Sequence, residues 1–285
     1  MDLPVGRVLR PSDLGEALAA LATEPGARAI AGGTDLMVQL RDGRRAATVL
    51  VDLGRVGLTW IVEREEAVEI GAGTPMDAIA DSPAVRRRAP ALAAAAAQVG
   101  AWPIQCRATL GGNLANASPA ADTVPPLLAA DARVELVSST GRRDLPLHGF
   151  FHGPGRTALR PGELIRAVVV PALPSAGFER FVKVGPRREQ IISAVSVALR
   201  LRQRRDGTLE RVRIAVGAAG PVPLRAHAAE AALEGRRPEP AIRRDALLAL
   251  QEDLAPIDDV RAPAEYRRLA AAALLDRFLG EVADA

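Results

Sequence analysis

Two short glycine-bearing motifs and two isolated charged residues are the parts of this 285-residue chain whose types and spacing could do chemistry. Gly32-Gly33-Thr34-Asp35 lies in "IAGGTDLM", between an apolar strand end and an apolar periodic segment. Thr109-Leu110-Gly111-Gly112-Asn113 forms the second motif, Asp122 follows Asn113 by nine residues, and Lys183 is the single lysine among 37 basic residues. Glycine leaves backbone N–H groups uncovered, so several can face one point, and a following helix start adds partial positive charge; each motif therefore suits an anion. Two such motifs supply donors enough to hold a diphosphate from both sides. A carboxylate near phosphate would repel it, so Asp122 suits a pair of vicinal hydroxyls on a ribose or ribityl chain. A lone lysine in an arginine-rich chain points to a place where a compact ammonium fits and a guanidinium does not. Taken singly, each motif also reads as an ordinary turn, Asp122 as a helix cap and Lys183 as a solvated strand residue. Neither motif is a standard nucleotide signature: Gly71-Ala72-Gly73 meets Met76 where a third glycine belongs, and no G-K-[ST] occurs.

The elements that must position these residues follow from periodicity. "SDLGEALAALA" (12 to 22) predicts an amphipathic helix capped by Ser12, "ARAIAGG" a strand entering the first glycine corner, "DLMVQLR" a helical turn leaving it, and "ATVLVDL" a second strand. Trp60 and Val62 alternate against Val68 and Ile70 around "EREE", which predicts a hairpin. Helices are expected at about 76 to 81 and 84 to 98, the second rich in alanine. Residues 100 to 125, rich in Gly, Ala and Pro, show neither period and read as a long functional or disordered loop. "PLLAAD" predicts a short helix, 132 to 147 a hairpin turning near Thr140 and Gly141, and "GELIRAVVVP" a strand stopped by Pro171. After the linker "LPSAG" come three strands in "FERFVKVG", "ISAVSVALRLRQ" and "LERVRIAVGAAG", then helices at about 225 to 235, 240 to 253 and 263 to 282. The expected architecture is α+β: a small α/β subdomain (1–55), a larger α+β subdomain (56–173), and a C-terminal domain (177–285) of three-stranded antiparallel sheet packed by helices.

Composition narrows the function classes. Hydrophobic residues make up 48% of the chain, as expected of a globular protein rather than a disordered one. The arginine pairs are dispersed among acids and aromatics are only 3%, which argues against a nucleic-acid surface. Cys106 is the only cysteine, which excludes an intrachain disulfide framework and an iron–sulfur cluster held wholly by this chain's cysteines. His148, His152 and His227 lack ligand spacing, so no metal site is expected. The start "MDLPVGRVLRP" has no apolar signal core and no run is long enough to span a bilayer, so a cytoplasmic protein without membrane insertion is expected.

"AGGTDL", "TLGGNLANASPAADTVPPLLAADARVEL", "GELIRAVVVP", "KVGPRREQIISAVSVAL" and "APAEYRRLAAAALLDRFL", in this order over nearly the whole chain, resemble the FAD-binding medium subunit of the molybdenum hydroxylases. That family includes xanthine dehydrogenase, aldehyde oxidoreductases and carbon monoxide dehydrogenase. The resemblance implies FAD as cofactor and an oxidoreductase subunit with no catalytic side chain of its own. Ala31, Gly32, Gly33, Thr34, Asp35 and Leu36 match the first FAD motif, whose backbone amides hold the pyrophosphate. Thr109, Gly111, Gly112 and Asn113 match the second, with Leu110 where isoleucine is usual. Asp122 falls on the acidic ligand of the cofactor's hydroxyls, Ile165 and Lys183 on positions lining the flavin side, and Asn116 and Ser118 within the same loop. Thr34-Asp35 is nearer the xanthine and aldehyde branch than the His-Ser of carbon monoxide dehydrogenase. Cys106 alone cannot serve the cysteine-bound insertion of the benzoyl-CoA reductase relative. The implied partners are a large molybdenum-cofactor subunit, a small subunit with two two-iron, two-sulfur clusters, and an electron acceptor such as NAD⁺, a quinone or oxygen. A stand-alone flavin-dependent NAD(P)H oxidoreductase of the same fold, or a scaffold subunit that has lost flavin, are the other readings.

Overall fold

A computed structural model describes residues 5–187 and 190–284. The N-terminal part is a small parallel α/β unit: β1 (Arg7–Leu9), α1 (Leu14–Thr23), β2 (Ala27–Ile30), α2 (Leu36–Arg41) and β3 (Val49–Asp52), with strand order β1-β3-β2. The cap of α1 is Asp13 and not the expected Ser12: Asp13 accepts from the Glu16 N–H, and Glu16 reaches back to the Ser12 N–H, which satisfies exposed donors at the helix start. β1 pairs with β3 beyond the elements the periodicity predicts, because three residues are too few to show alternation.

The second part carries β4 (Ile61–Glu63), β5 (Ala67–Gly71), α3 (Met76–Asp81), α4 (Pro83–Arg88), α5 (Pro90–Ala96), α6 (Trp102–Gln105), α7 (Leu110–Asn116) and α8 (Val124–Ala129). It continues with β6 (Arg133–Ser138), β7 (Gly141–Pro146), the small ribbon β8 (Phe151–Gly153) and β9 (Arg156–Thr157), and β10 (Leu164–Pro171). Its five-stranded antiparallel sheet has the order β4-β5-β10-β6-β7. The helix expected over 84 to 98 is two helices. Pro90 disfavours helical backbone at the residue before it, and Ala89 accordingly takes φ −147° between α4 and α5. The aperiodic stretch of 100 to 125 is likewise ordered by α6 and α7, which are too short to display a period.

The last part comprises β11 (Gly177–Val184), β12 (Val195–Gln203), β13 (Leu209–Gly217), β14 (Leu224–Arg225), α9 (His227–Leu233), α10 (Pro240–Asp253) and α11 (Ala264–Ala283). Its antiparallel sheet has four strands, not three: Leu224 and Arg225 pair with Val216 and Ala215 before the helix begins at His227. Both faces of this sheet are buried. Val195, Val197, Leu199, Val212, Ile214 and Val216 pack under α9, α10 and α11. On the other face Phe181, Ala198 and Ala215 join the core that runs through α5 and α8 to the five-stranded sheet. Small side chains there bring α8 close, and Gly217 leaves room for Pro125, whose Cγ would lie 3.0 Å from an added Cβ.

The turn before α11 is locked by charge. Arg267 is buried and donates to Asp259, to the Ala194 carbonyl and to the Ala218 carbonyl, while Arg261 holds the other Asp259 oxygen. Hydrogen bonding from Arg261 holds the Asp259 carboxyl well below the usual carboxylate range. A depressed folded-state pKa contributes stability above the unfolded value, about 3.9, and loses it as pH falls through the folded value. The stability gap between wild type and Asp259→Asn is therefore expected to be full above about pH 5 and to narrow below about pH 4. Urea unfolding across pH 7 to about 3 measures it, and a gap that stays constant overturns this account.

Candidate functional site

Strand β2 delivers the first motif. Its hydrogen bonding to β3 ends at Ile30, Gly33 takes φ +72°, and α2 begins at Leu36. Across this bend the six successive backbone N–H groups of residues 31–36 donate to no acceptor among the described residues. Unpaired amides in a row are costly unless water or a ligand accepts from them, and an anion is the acceptor their partial charges favour. The bend is also pressed against the residues leading into the second motif: a Cβ built on Gly32 would lie 1.7 Å from the Arg107 carbonyl oxygen. The two glycine corners are thus in main-chain contact, although 77 residues separate Gln39 from Asn116, whose side chains also tie them together. Gln39 Nε2 donates to Asn116 Oδ1 at 2.8 Å and to Asp35 Oδ1 at 3.0 Å.

The second corner differs from the sequence expectation of two equivalent sets of amides. The Leu110 N–H donates to the Thr74 carbonyl, the Gly111 N–H to the Ala72 carbonyl, and the Gly112 N–H to Thr109 Oγ1, the N-cap of α7. These donors are spent because α7 packs directly on the 72–74 bend, and a Cβ at Gly111 would meet that of Ala72 at 2.6 Å. Gly111 therefore serves close packing. What the corner offers the cleft is side-chain chemistry: the Thr109 hydroxyl proton and the Asn113 amide, whose Oδ1 is fixed by Thr123 Oγ1 at 2.6 Å so that its NH₂ is left to donate.

Asp122, just before α8, stands on the wall. Lys183 Nζ lies 2.7 Å from its Oδ2 and Ser193 Oγ donates to its Oδ1. Burial pushes the Asp122 carboxyl up, and Lys183 and Ser193 oppose that rise. Lys183 does not line the cleft, contrary to the expectation that it borders the flavin side. Its three ammonium protons are directed to Asp122, the Gln98 carbonyl and the Ile191 carbonyl, and its side chain is only 4% exposed. Three acceptors spread about one nitrogen suit an ammonium and not a planar guanidinium, which accounts for the chain's one lysine.

All the other expected residues line one cleft of about 1300 Å³: Ala31 to Leu36, Thr109, Gly111, Gly112, Asn113, Asn116, Ser118, Asp122 and Ile165. That exceeds the roughly 300–1,000 Å³ of sites for drug-sized molecules and suits a dinucleotide. The row of free amides, the close approach of the two corners and the donor set around Asp122 fit FAD: anion donors in one place, a hydroxyl acceptor in another. Sequence reasoning missed several lining residues, among them Arg28, Arg45, Arg156, Arg160 and the segments 99–101 and 190–192. None lies in either glycine motif, and only folding brings the β8–β9 ribbon and the 190–192 segment to the cleft. Those four arginines form no ion pair among the described residues.

Residues 4–173 match the family described as the FAD binding domain in molybdopterin dehydrogenase, and residues 180–282 the CO dehydrogenase flavoprotein C-terminal domain. The chain belongs to the FAD-binding medium subunits of the molybdenum hydroxylases. It is 32% identical over 266 residues to the xanthine dehydrogenase FAD-binding subunit of Escherichia coli O157:H7, covering 90% of this chain and 89% of that one. It is 33% identical over 283 residues to the nicotine 6-hydroxylase medium subunit of Paenarthrobacter nicotinovorans, covering 99% and 98%. Among solved structures, the carbon monoxide dehydrogenase of Hydrogenophaga pseudoflava superposes with a TM-score of 0.94 at 30% identity, covering 98% of both chains. This medium subunit is an FAD-binding oxidoreductase subunit, and no helix among its described residues is long and apolar enough to cross a membrane.

Proposed function

We propose that this medium subunit is the flavin-carrying electron-transfer component of a three-part complex. A small subunit with two two-iron, two-sulfur clusters delivers electrons, a large subunit with the molybdenum cofactor oxidises the organic substrate, and NAD⁺ or another acceptor removes the electrons. When bound, FAD supplies a centre competent in both one-electron and two-electron transfer. The observation that carries this reading is the row of six free amides at residues 31–36, set in main-chain contact with the second corner.

In this assignment the amides of Ala31, Gly32, Gly33, Thr34, Asp35 and Leu36 hold the diphosphate, and Thr109 and Asn113 donate from the facing side. Asn116 acts through Gln39 to hold Asp35 and the first corner in register, and Ser118 shapes the approach to Asp122 by accepting from the Ala120 N–H. Asp122 accepts from the cofactor's hydroxyls. Gly112 and Ile165 give a smooth wall, and Lys183 acts behind that wall by holding Asp122. No side chain is assigned as general acid or base; the residues bind, orient and keep water from the ring.

The purified chain is expected to carry yellow flavin absorbance, with Asp122→Ala lowering the flavin retained per chain. A colourless preparation that takes up no flavin on reconstitution overturns the assignment. Pull-down from the native host is expected to bring the large and small subunits. Sustained NAD(P)H-to-dye turnover by the lone chain, with no partners recovered, favours a stand-alone reductase instead.

A further inference from the structure

The two oxygens of Asp122 are held from the far side of the fold. Asp122 precedes α8, whereas Lys183 lies next to the end of β11 and Ser193 leads into β12, so both side-chain donors belong to the four-stranded-sheet domain. Ser193 is wholly buried, and its single hydroxyl proton goes to Asp122 Oδ1 at 2.5 Å. An ionised carboxylate has roughly four lone-pair sites, two per oxygen. The protein's side chains take one on Oδ2 through Lys183 and one on Oδ1 through Ser193. One acceptor site on each oxygen is left over, and Asp122 lines the cleft. Two parallel acceptor sites on neighbouring oxygens match two adjacent hydroxyls.

We propose that Ser193 is a positioning residue which, together with Lys183, orients Asp122 so that its two remaining acceptor sites meet neighbouring hydroxyls of the ligand in the cleft. The proposal rests on the assignment of Asp122 to the hydroxyls of FAD. It makes the C-terminal domain a participant in cofactor binding without touching the cofactor through Ser193. Among the described residues Lys183 is the one charged group acting on Asp122; Asn113 and Thr123, hydrogen-bonded to each other nearby, are neutral.

The test is FAD titration of the flavin-stripped full chain, read by flavin fluorescence from pH 8 down to about 5. Ser193→Ala is expected to weaken FAD binding about tenfold at pH 7, the scale of one hydrogen bond to a charged group. Its low-pH loss of binding is expected at higher pH than in wild type, because the carboxylate has lost a donor that favours its ionised form. Ser193→Thr, which keeps the hydroxyl, is expected to restore both values, and Ser193→Ala is expected to add little in an Asp122→Ala background. An unchanged affinity in Asp122→Ala overturns the assignment of Asp122 and this proposal with it. A weakened Asp122→Ala beside a Ser193→Ala of wild-type affinity and pH profile overturns the positioning role alone, as does a Ser193→Ala effect undiminished in the Asp122→Ala background.

Discussion

Gly32→Ala is expected to abolish flavin retention and to destabilise the chain by about 3 kcal/mol, the upper end of overpacking costs. The added Cβ would lie 1.7 Å from the Arg107 carbonyl oxygen and 2.5 Å from its carbon, both backbone atoms that cannot rotate aside. Relief requires the first corner to move off the second. That movement turns the amides of residues 31–36 away from Thr109 and Asn113, and a misplaced donor row loses the diphosphate. Gly43→Ala is the matched control. Gly43 has φ +70° but open space around its Cβ, so it should cost about 1 kcal/mol through backbone strain and leave flavin content at the wild-type level. Flavin absorbance per chain and urea midpoints report both quantities. A Gly32→Ala protein with stoichiometric flavin and a wild-type midpoint would show that contact between the corners is dispensable.

Glu179→Ala should cost about 3–5 kcal/mol, the range for removing one partner of a buried ion pair. Glu179 on β11 and Arg200 on β12 are almost fully buried, with Arg200 Nη1 3.3 Å from Glu179 Oε1. Burial pushes the Glu179 carboxyl up and the Arg200 guanidinium down, while each partner opposes the other's shift. Such a pair is a poor source of net stability but an exacting fastener. Glu179 Oε2 accepts from the Ala91 N–H at the start of α5, and Arg200 donates to the carbonyls of Pro171 and Ala172 in the connection between the two sheets. Truncating Glu179 leaves a buried cation and a buried N–H without their acceptor. Glu179→Gln, which keeps an acceptor for Ala91, should lose less. Equal losses in the two variants would mean that shape alone, and not hydrogen bonding, matters at this seam. Because the Gln98 carbonyl that receives Lys183 follows two residues after the end of α5, loosening the seam should also lower flavin content.

Much of this architecture is legible in the chain because its elements follow local rules. The alternation of Val68 and Ile70, the helical spacing of Leu14, Leu18 and Leu21, and the apolar runs of β10, β12 and β13 identify strands and helices without reference to the rest of the molecule. Where the expectation departs, a short-range rule was overruled or too weak to see. Pro90 splits a continuous alanine pattern by constraining Ala89. α6 and α7 are too short to repeat an apolar pattern, so their residues read as loop, and the two residues of β14 ran into the helix expected from about 225.

By itself the sequence determined which residues could meet an anion and a diol: bare main chain at 31–36 and 109–113, a carboxylate at 122, and one lysine among the arginines. Only the tertiary structure decided how those capacities are used. α7 turns its leading amides onto the 72–74 bend, leaving the donor row to the first corner. Lys183 spends its protons behind Asp122, and Ser193, to which the sequence assigned no role, completes the hold on that carboxylate. The reason is physical. A residue type fixes what a group can donate or accept, but buried donors and acceptors are claimed by whichever neighbours folding brings within about 3 Å. The neighbours of Gly111, Lys183 and Ser193 come from segments far away along the chain.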